Sequence, residues 1–488
     1  MAGIGVRLNR IFEKNTLTTN LVGFFYSTVV TVAPMFVIII NLILMEYLLD
    51  FASVGYVTRE LFSCTILYTF IFSLLTASPF NAVLSRYMSD VIYEERYQDI
   101  LPCYHIGMLL NIGLSCLLGI PFCLWEHFVG KVPTAYVFCG FCGYISLVLV
   151  FYSMIYLSIC KDYQRISQYF FFGMLVAFVL ALILPFILKW ETTWRMLFSL
   201  LIGFFVTARP ENALIRRYFV RNSNHYRPVL QYFRKYWKLI FTNFLYILGL
   251  YIHNFVFWTT DMRMEIAKSF VCNQPYDMAS CLAMFTNISA TIIFIARVEM
   301  NFHEKYKLYS EAVIGGKGAD IDNAKKRMFR QLSSELMTLA RLQFIISVVV
   351  YLICVILLPG EGFSGMTLKI YPSLAVGYFI LFLMYAEIIF LYYFDDLTGA
   401  IWTAIVFCLV TWIGSLIATH LPVIWYGAGV IAGAFAGWSV AYARLRWVEK
   451  NMDRHVFCRG NLIPQGKGKR PSGMVYERKA EQEQKEEA

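Results

Sequence analysis

The sequence predicts an all-α integral membrane protein with about twelve transmembrane helices in two six-helix bundles, and with both termini in the cytoplasm. The chain of 488 residues is 59% hydrophobic and 17% aromatic but only 15% charged, whereas roughly a quarter of the residues of a soluble protein are charged. The apolar residues also form runs of the length that crosses a bilayer, about 20 residues in a helix. Four such runs are almost free of charge: Leu17–Met45, Ser167–Leu188, Phe344–Leu358 and Thr398–Ala418.

The apolar segments define twelve predicted spans. No removable signal peptide is indicated, because the first long run follows a short basic amphipathic stretch and exceeds the length of a signal-peptide core. In chain order the spans cover residues 18–47, 58–84, 103–125, 133–159, 167–189, 192–208, 237–259, 277–297, 339–358, 371–394, 398–419 and 422–446.

The sixth span is the weakest, because its apolar core, Met196–Ala208, is shorter than a bilayer requires. The number of crossings between two cytoplasmic segments must be even, and this favours keeping the sixth span. The residues Lys161 and Arg165, before the fifth span, and the basic block Arg209–Lys238 both carry the charge of cytoplasmic segments. Two crossings are therefore needed between them.

The distribution of basic residues predicts the orientation. Cytoplasmic segments of membrane proteins carry an excess of Lys and Arg. With the N-terminus inside, 35 of the 42 Lys and Arg residues lie on the predicted inner side. The other seven lie in or beside predicted outer loops: Arg59, Lys131, Lys189, Arg195, Arg263, Lys268 and Lys369. The excess of 35 inner over seven outer basic residues supports cytoplasmic termini.

A basic connection at 209–236 separates the first six spans from the last six, an arrangement found in many secondary transporters. It predicts an N-terminal six-helix lobe with its basic connecting loop at 1–236, and a C-terminal six-helix lobe at 237–448. The tail at 449–488 loses its apolar character and is expected to be cytoplasmic and disordered.

A cytoplasmic helical hairpin is predicted at 298–338. Its first helix places Phe302, Tyr306 and Tyr309 on one face, and Gly315-Gly316 ends it. The apolar face of the second helix comprises Ile321, Met328, Phe329, Leu332 and Leu336.

The basic residues of this hairpin leave two interpretations open. They face anionic lipid beneath the bundle, or they form a docking surface for a cytoplasmic enzyme. The residues concerned are Lys325, Lys326, Arg327 and Arg330. Arg297 and Glu299, which end the eighth span, are interpreted as anchors at the cytoplasmic interface.

The sequence indicates no catalytic machinery, and therefore no enzyme. No predicted loop is much longer than about forty residues, which is too short for a nucleotide-sugar glycosyltransferase domain. Asp320 and Asp322 match a D-x-D pattern, but helix capping after the glycines explains Asp320 better. The histidines are dispersed, and Cys139 and Cys142 lie inside an apolar span as a structural pair. No metal, cofactor or nucleic acid is indicated.

The seventh span carries the most informative polar residues. Tyr251, Asn254, Trp258 and Asp261 recur at the spacing of one helical face, with His253 beside it. Aromatic rings offer flat faces to a sugar, and Asn, His and Asp form hydrogen bonds to hydroxyls. The alternative makes Trp258 an interfacial anchor and Asp261 a loop residue.

Two further polar positions lie in or beside spans. Glu387, inside the tenth span, cannot face lipid while ionised, so it lines a cavity, pairs with another helix or stays protonated. Arg86 and Asp90 are four residues apart below the second span, which is the spacing of a helical salt bridge.

Several motifs resemble the PelG family of exopolysaccharide export proteins, in the multidrug/oligosaccharidyl-lipid/polysaccharide exporter superfamily. The resemblance covers most of residues 1–400. The motifs are Phe255-Val-Phe-Trp258, Pro275-Tyr-Asp277-x-Ala279, Ala296-Arg-Val-Glu299-x-x-Phe302, the Gly315-Gly316 break, Met1-Ala-Gly-Ile-Gly5 and Ser85-Arg-Tyr-x-x-Asp90-x-x-Tyr93-x-x-x-Tyr97. In the family an Asp-Lys pair often precedes the Phe-Trp element. Here His253-Asn254 stand in its place, so an ion pair at that point does not carry over.

The resemblance implies two six-helix lobes around a central cavity, and export of a galactosamine-rich polysaccharide or its precursor across the bacterial plasma membrane. It also implies a PelF-like cytoplasmic glycosyltransferase and PelD- and PelE-like membrane proteins as partners. Two alternatives stay open. One is an ion-coupled flippase or exporter of lipid-linked oligosaccharides or small molecules, with Glu387 as its proton or sodium site. The other is a non-transporting scaffold that anchors a glycosyltransferase through the 298–338 hairpin.

Overall fold

The computed structural model describes residues 36–160, 162–187, 191–294, 299–359 and 365–452. Most of the first predicted span and nearly all of the predicted disordered tail lie outside these residues. The chain divides into two compact units, Met1–Tyr442 and Ala443–Ala488. In the second unit, the described residues are the end of a helix, where Arg446 Nη1 lies 2.7 Å from Glu449 Oε2.

The described chain is mainly helical, with one two-stranded sheet. Its α-helices are α1 Phe36–Leu48, α2 Tyr56–Tyr93, α3 Ile100–Phe128, α4 Thr134–Ile159, α5 Tyr163–Ile187, α6 Thr192–Tyr218, α7 Arg227–Lys235, α8 Trp237–Phe257, α9 Gln274–Ile293, α10 Glu299–Gly315, α11 Gly318–Leu357, α12 Gly365–Tyr393, α13 Leu397–Ala418 and α14 Ala428–Lys450. The antiparallel strands are β1 Met264–Ile266 and β2 Phe270–Cys272.

Ten described helices are long and apolar enough to cross a membrane, namely α2–α6, α8 and α11–α14. The protein is therefore a multi-pass membrane protein. The first predicted span overlaps α1, which is described only from Phe36. The eighth predicted span, 277–297, overlaps α9, which is 20 residues long and is not among the ten.

Two elements that were predicted as separate are joined in the structure. The second helix of the hairpin and the ninth span, predicted as separate elements, form the single helix α11 of 40 residues. Such a helix is about 60 Å long, so it spans a bilayer and extends well beyond it. No proline or glycine interrupts it after its first residue, which is the physical reason that it continues.

Helix α2 connects the elements of the fold. It packs against α3, α4, α6, α7 and α8 and against both strands. In the first part of the chain, α5 and α6 pack tightly together, and α6 also packs on α4. A Cβ added at Gly203 of α6 would lie 2.9 Å from the carbonyl oxygen of Gly173 in α5. The glycines thus allow these two helices to approach closely, as small residues do in membrane bundles.

The later helices are also tightly packed. The closest partners are α8 with α13, and α9 with α12. Helix α14 approaches α13 through small residues. A Cβ at Gly433 would lie 2.8 Å from the backbone nitrogen of Thr411. These helices, together with α2, position the residues of the candidate site.

Loops that the charge distribution places on the inner side meet in the structure. Arg86 Nη1, near the end of α2, lies 2.8 Å from Asp395 Oδ1 in the loop between α12 and α13. The predicted salt bridge between Arg86 and Asp90 is therefore wrong. Asp90 instead accepts a hydrogen bond from the Tyr232 hydroxyl of α7. Burial and this carboxylate raise the pKa of Tyr232.

The hairpin formed by α10 and α11 packs against the end of α12 and the residue that follows it. Phe302, Phe329 and Phe394 form one aromatic cluster, in which Phe302 lies 5.8 Å and Phe329 5.3 Å from the ring of Phe394. Met328 is fully buried in α11, whereas Lys326 and Arg327 beside it are exposed. The hairpin thus has one apolar face against the protein and one basic face away from it.

Candidate functional site

A carboxylate at the start of α9 gathers donors from three segments. Asp277 accepts hydrogen bonds from Asn254 Nδ2 at 2.7 Å and from Trp258 Nε1 at 2.9 and 3.0 Å. It also accepts from the backbone nitrogen of Asn273 at 3.0 Å. The three donors leave the carboxylate well satisfied, which is what a charge in or near a bilayer requires.

The local sequence explains why Asp277 lies there. Asn273 precedes α9, and its side-chain oxygen accepts from the backbone nitrogen of Tyr276 at 3.3 Å, as an N-capping residue does. Asp277 lies in the first turn, where the helix dipole favours negative charge. Asn273 Nδ2 also donates to the Phe257 carbonyl at 3.2 Å, which joins the end of α8 to the start of α9.

A histidine forms the other side of this polar cluster. The ring of His253 is only 1% exposed. Its Nδ1 lies 2.9 Å from the Tyr276 hydroxyl, and its Nε2 lies 3.4 Å from the Tyr378 hydroxyl of α12. The Tyr378 hydroxyl also lies 3.1 Å from Ser280 Oγ. Three helices, α8, α9 and α12, are therefore connected by hydroxyl and imidazole groups.

Trp258 connects this cluster to α2. Its ring stacks on Tyr68 with 5.0 Å between the ring centres and 5° between the planes. The hydroxyl of Tyr68 donates to the Val271 carbonyl at 2.8 Å and accepts from the Val271 nitrogen at 3.1 Å. Trp258 is 7% exposed, so its place inside the protein is not that of an interfacial anchor.

An aromatic cavity adjoins Tyr68, between α2, α3 and α4 and against β2. Its volume is about 310 Å³, which is at the lower end of the range for small-molecule sites. It is lined by Thr65, Tyr68, Thr69, Phe72, Leu118, Gly119, Phe122, Cys123, Glu126, Tyr136, Val137, Gly140, Phe141, Tyr144 and Phe270.

One carboxyl group lines this cavity. Glu126, near the end of α3, is 4% exposed. Within the described residues, its Oε1 atom has no hydrogen-bond partner. Hydroxyls accompany it, since Tyr136 lies 3.2 Å from Thr65 and Tyr144 lies 2.6 Å from Thr76. An occupant that presents an apolar face and a hydrogen-bond donor would satisfy both the rings and Glu126.

The residues predicted for the seventh-span face separate in the structure. Asn254, Trp258 and His253 belong to the polar cluster, and Tyr251 is buried against α2 with Ile71 and Leu75. Asp261 does not continue this face, because α8 ends at Phe257. It is exposed in the following turn, as the alternative interpretation predicted.

The other predicted residues lie elsewhere. Glu387 of α12 is 3% exposed, and its Oε1 accepts from Trp438 Nε1 of α14 at 3.1 Å. Its Oε2 has no partner among the described residues. Arg297 lies outside the described residues. Glu299 begins α10, and its side chain also lies outside the described residues. Lys326, Arg327 and Arg330 are exposed on α11, and Lys325 is half-buried.

Sequence reasoning missed several residues of the site. They are Tyr68, Glu126, Phe270, Tyr276, Ser280 and Tyr378. Glu126 could have been found, because it is a carboxylate close to the end of an apolar run. Tyr276 lies inside the Pro275-Tyr-Asp277 motif. Tyr68, Phe270, Ser280 and Tyr378 carry no local signal, because aromatic residues and serines occur throughout the chain.

Replacement of Asp277 by alanine should lower the thermal stability of the purified protein in detergent. The change leaves Asn254 Nδ2, Trp258 Nε1 and the Asn273 nitrogen without their acceptor. Each buried donor left unsatisfied costs about 1–3 kcal/mol.

The matched control is Asp261→Ala, which removes an exposed carboxylate from the connection between α8 and α9 and should leave the unfolding midpoint unchanged. Equal midpoints for Asp277→Ala and Asp261→Ala would contradict the polar cluster described above.

Comparisons with known proteins agree with this fold. Solved structures of transporters of the MATE family share it at low sequence identity. An outward-facing MATE transporter of the MOP superfamily has a TM-score of 0.56 and 12% identity, over 88% of this chain and 96% of that chain. An inward-facing form has a TM-score of 0.57 and 11% identity, over 88% and 95%. The bent form of the Vibrio cholerae MATE transporter VcmN has a TM-score of 0.58 and 12% identity, over 92% and 99%.

A family model described as "PelG: Putative exopolysaccharide Exporter (EPS-E)" matches residues 1–457. No curated protein matches the chain.

Proposed function

Because this chain belongs to the PelG family of exopolysaccharide exporters, we propose that it moves a galactosamine-rich exopolysaccharide, or a precursor of one, across the bacterial plasma membrane. The family and the MATE-like fold identify a non-enzymatic, multi-pass membrane transporter. We further propose the identity of the substrate, the region of the protein through which it passes, and the topology. The topology has twelve spans in two six-helix lobes, with both termini in the cytoplasm.

The observation that supports this path is that the aromatic cavity and the polar cluster adjoin each other through Tyr68. Tyr68 lines the cavity and stacks on Trp258, whose Nε1 donates to Asp277. A sugar ring has apolar faces that pack on aromatic rings and hydroxyls that form hydrogen bonds. The cavity supplies rings together with Glu126, and the neighbouring cluster supplies amide, carboxylate and hydroxyl groups. We therefore assign a sugar unit of the substrate to this region.

Filling the cavity should impair export. Gly140 lines it from α4, and a Cβ added there would meet only Thr65 Cγ2, at 3.5 Å. Gly140→Leu therefore places its side chain in the cavity without a backbone clash. We expect surface polymer to fall by about tenfold, which corresponds to a loss of about 1.4 kcal/mol of substrate binding.

The control is Gly113→Leu on α3, where an added Cβ meets nothing within 4 Å and the residue is exposed. Surface polymer is measured in a deletion strain complemented with each variant at equal protein level. Export by Gly140→Leu at the level of Gly113→Leu would remove the cavity from the path.

The basic face of the hairpin supports the proposed partners, a PelF-like cytoplasmic glycosyltransferase with PelD- and PelE-like membrane proteins. Lys326, Arg327 and Arg330 are exposed, while Met328 and Leu332 hold α11 to the protein. Replacing the three basic residues by glutamate should abolish co-purification of the glycosyltransferase in detergent, because the surface charge is reversed. Unchanged co-purification would favour the alternative in which these residues face anionic lipid.

One observation favours a second candidate, an ion-coupled flippase or exporter of lipid-linked oligosaccharide. Glu387 is buried in α12 and bonds to Trp438 through one oxygen only. Buried carboxyl groups in membrane helices frequently form proton or ion sites. We expect Glu387→Gln to remove any dependence of export on external pH, whereas Trp438→Phe, which keeps the carboxyl group, retains it. Export by Glu387→Gln at the wild-type rate at every pH tested would exclude Glu387 as the coupling site.

A further inference from the structure

Two cysteines from distant parts of the chain are in contact where the β-hairpin meets α2. Cys64 lies in α2, and Cys272 is the last residue of β2. Their Sγ atoms are 3.3 Å apart, and the residues are separated by 208 positions in sequence. Both are buried, at 2% and 4% exposure. Bonded cysteine sulfurs are about 2.05 Å apart, so the two thiols need to move by only about 1.3 Å to bond.

The predicted orientation places this pair on the outer side of the membrane. Cys272 follows Arg263 and Lys268 in the predicted outer loop between the seventh and eighth spans. Cys64 lies at the outer end of the second predicted span. Disulfides form and persist in oxidising compartments such as the bacterial periplasm, but are rare in the cytosol.

We infer that Cys64 and Cys272 form a disulfide in the mature protein. The oxidant is a disulfide-bearing thiol oxidoreductase of the cell envelope. One cysteine thiolate attacks that disulfide, forms a mixed disulfide and releases one oxidant thiolate. The second cysteine thiolate attacks the mixed disulfide and releases the other oxidant thiolate. The cysteines lose two electrons and two protons, and the oxidant disulfide is reduced to two thiols. Both sulfurs are buried in the folded chain. The exchange therefore takes place before the β-hairpin formed by β1 and β2 packs on α2.

The bond would hold the β-hairpin in place at the edge of the aromatic cavity. Phe270 of β2 packs edge-on to Tyr68 at 4.9 Å and to Phe122 at 5.4 Å between ring centres. Val271 already forms two backbone hydrogen bonds with the Tyr68 hydroxyl. A covalent link from Cys64 to Cys272 makes this end of α2 and the β-hairpin move as one body. Phe270 would therefore keep its position against Tyr68 when neighbouring helices move apart.

The test counts free thiols in the wild-type protein. Cells are quenched in acid, and the full chain is denatured and labelled with a mass-tagged maleimide, with and without prior reduction. The chain contains twelve cysteines. We expect ten labels without reduction and twelve after it, and a peptide pair joining Cys64 to Cys272 by mass spectrometry that disappears on reduction.

Two variants assign the bond. Cys64→Ser and Cys272→Ser should each show eleven labels both with and without reduction, because the remaining partner is free. Twelve labels on the unreduced wild-type chain, or a linked peptide that joins other cysteines, would overturn the inference. The measurement uses denatured wild-type protein and no export assay, so its outcome does not depend on the proposed substrate or on the folding of the variants.

Discussion

The structure depends on a constraint of the bilayer, in which a buried polar group has to find its partners within the protein. Asp277 meets this constraint with donors from Asn254, Trp258 and the Asn273 backbone. Those donors come from the end of α8, the turn after it and the residue before α9. Their convergence fixes the geometry of the connection between α8 and α9 and orients the Trp258 ring. Glu387 meets the same constraint only in part, through Trp438.

The orientation of Trp258 connects the polar cluster to the aromatic cavity, because its ring stacks on Tyr68. Both ends of α2 make aromatic contacts, since near its C-terminal end Tyr87 packs edge-on to Tyr232 with 5.1 Å between the ring centres. Such aromatic pairs are each worth about 0.5–1.5 kcal/mol beyond the burial of area. At the predicted inner end, Arg86 and Asp395 form an ion pair with side chains 28% and 55% exposed, and such pairs contribute about 0–1 kcal/mol. The ion pair between Arg86 and Asp395 therefore adds little to the aromatic contacts of α2.

Patterns of hydrophobicity predicted most of the fold, because apolar runs of bilayer length leave few alternatives to a spanning helix. The convergence of Asn254 and Trp258 on one side of the chain was also predictable from their spacing of four residues, and both donate to Asp277. For Asp261 the sequence left two interpretations open, because the spacing alone continues the helical face past Thr259 and Thr260, whereas α8 ends at Phe257. The partner of Arg86 was wrong for another reason. The i,i+4 rule weighs only local neighbours, whereas Asp395 is 309 residues away. The cavity required the packing of three helices, which no local pattern encodes.

The central claim is that this chain transports the polymer and is not only a scaffold for its synthesis. The most direct measurement is a clean deletion of the gene, with polymer on the cell surface and polymer retained in the cytoplasm scored separately. The account predicts that surface polymer is lost while polymer or its precursor accumulates inside, with the glycosyltransferase still active. Absence of polymer from both places, together with loss of glycosyltransferase activity, would contradict it and favour the scaffold.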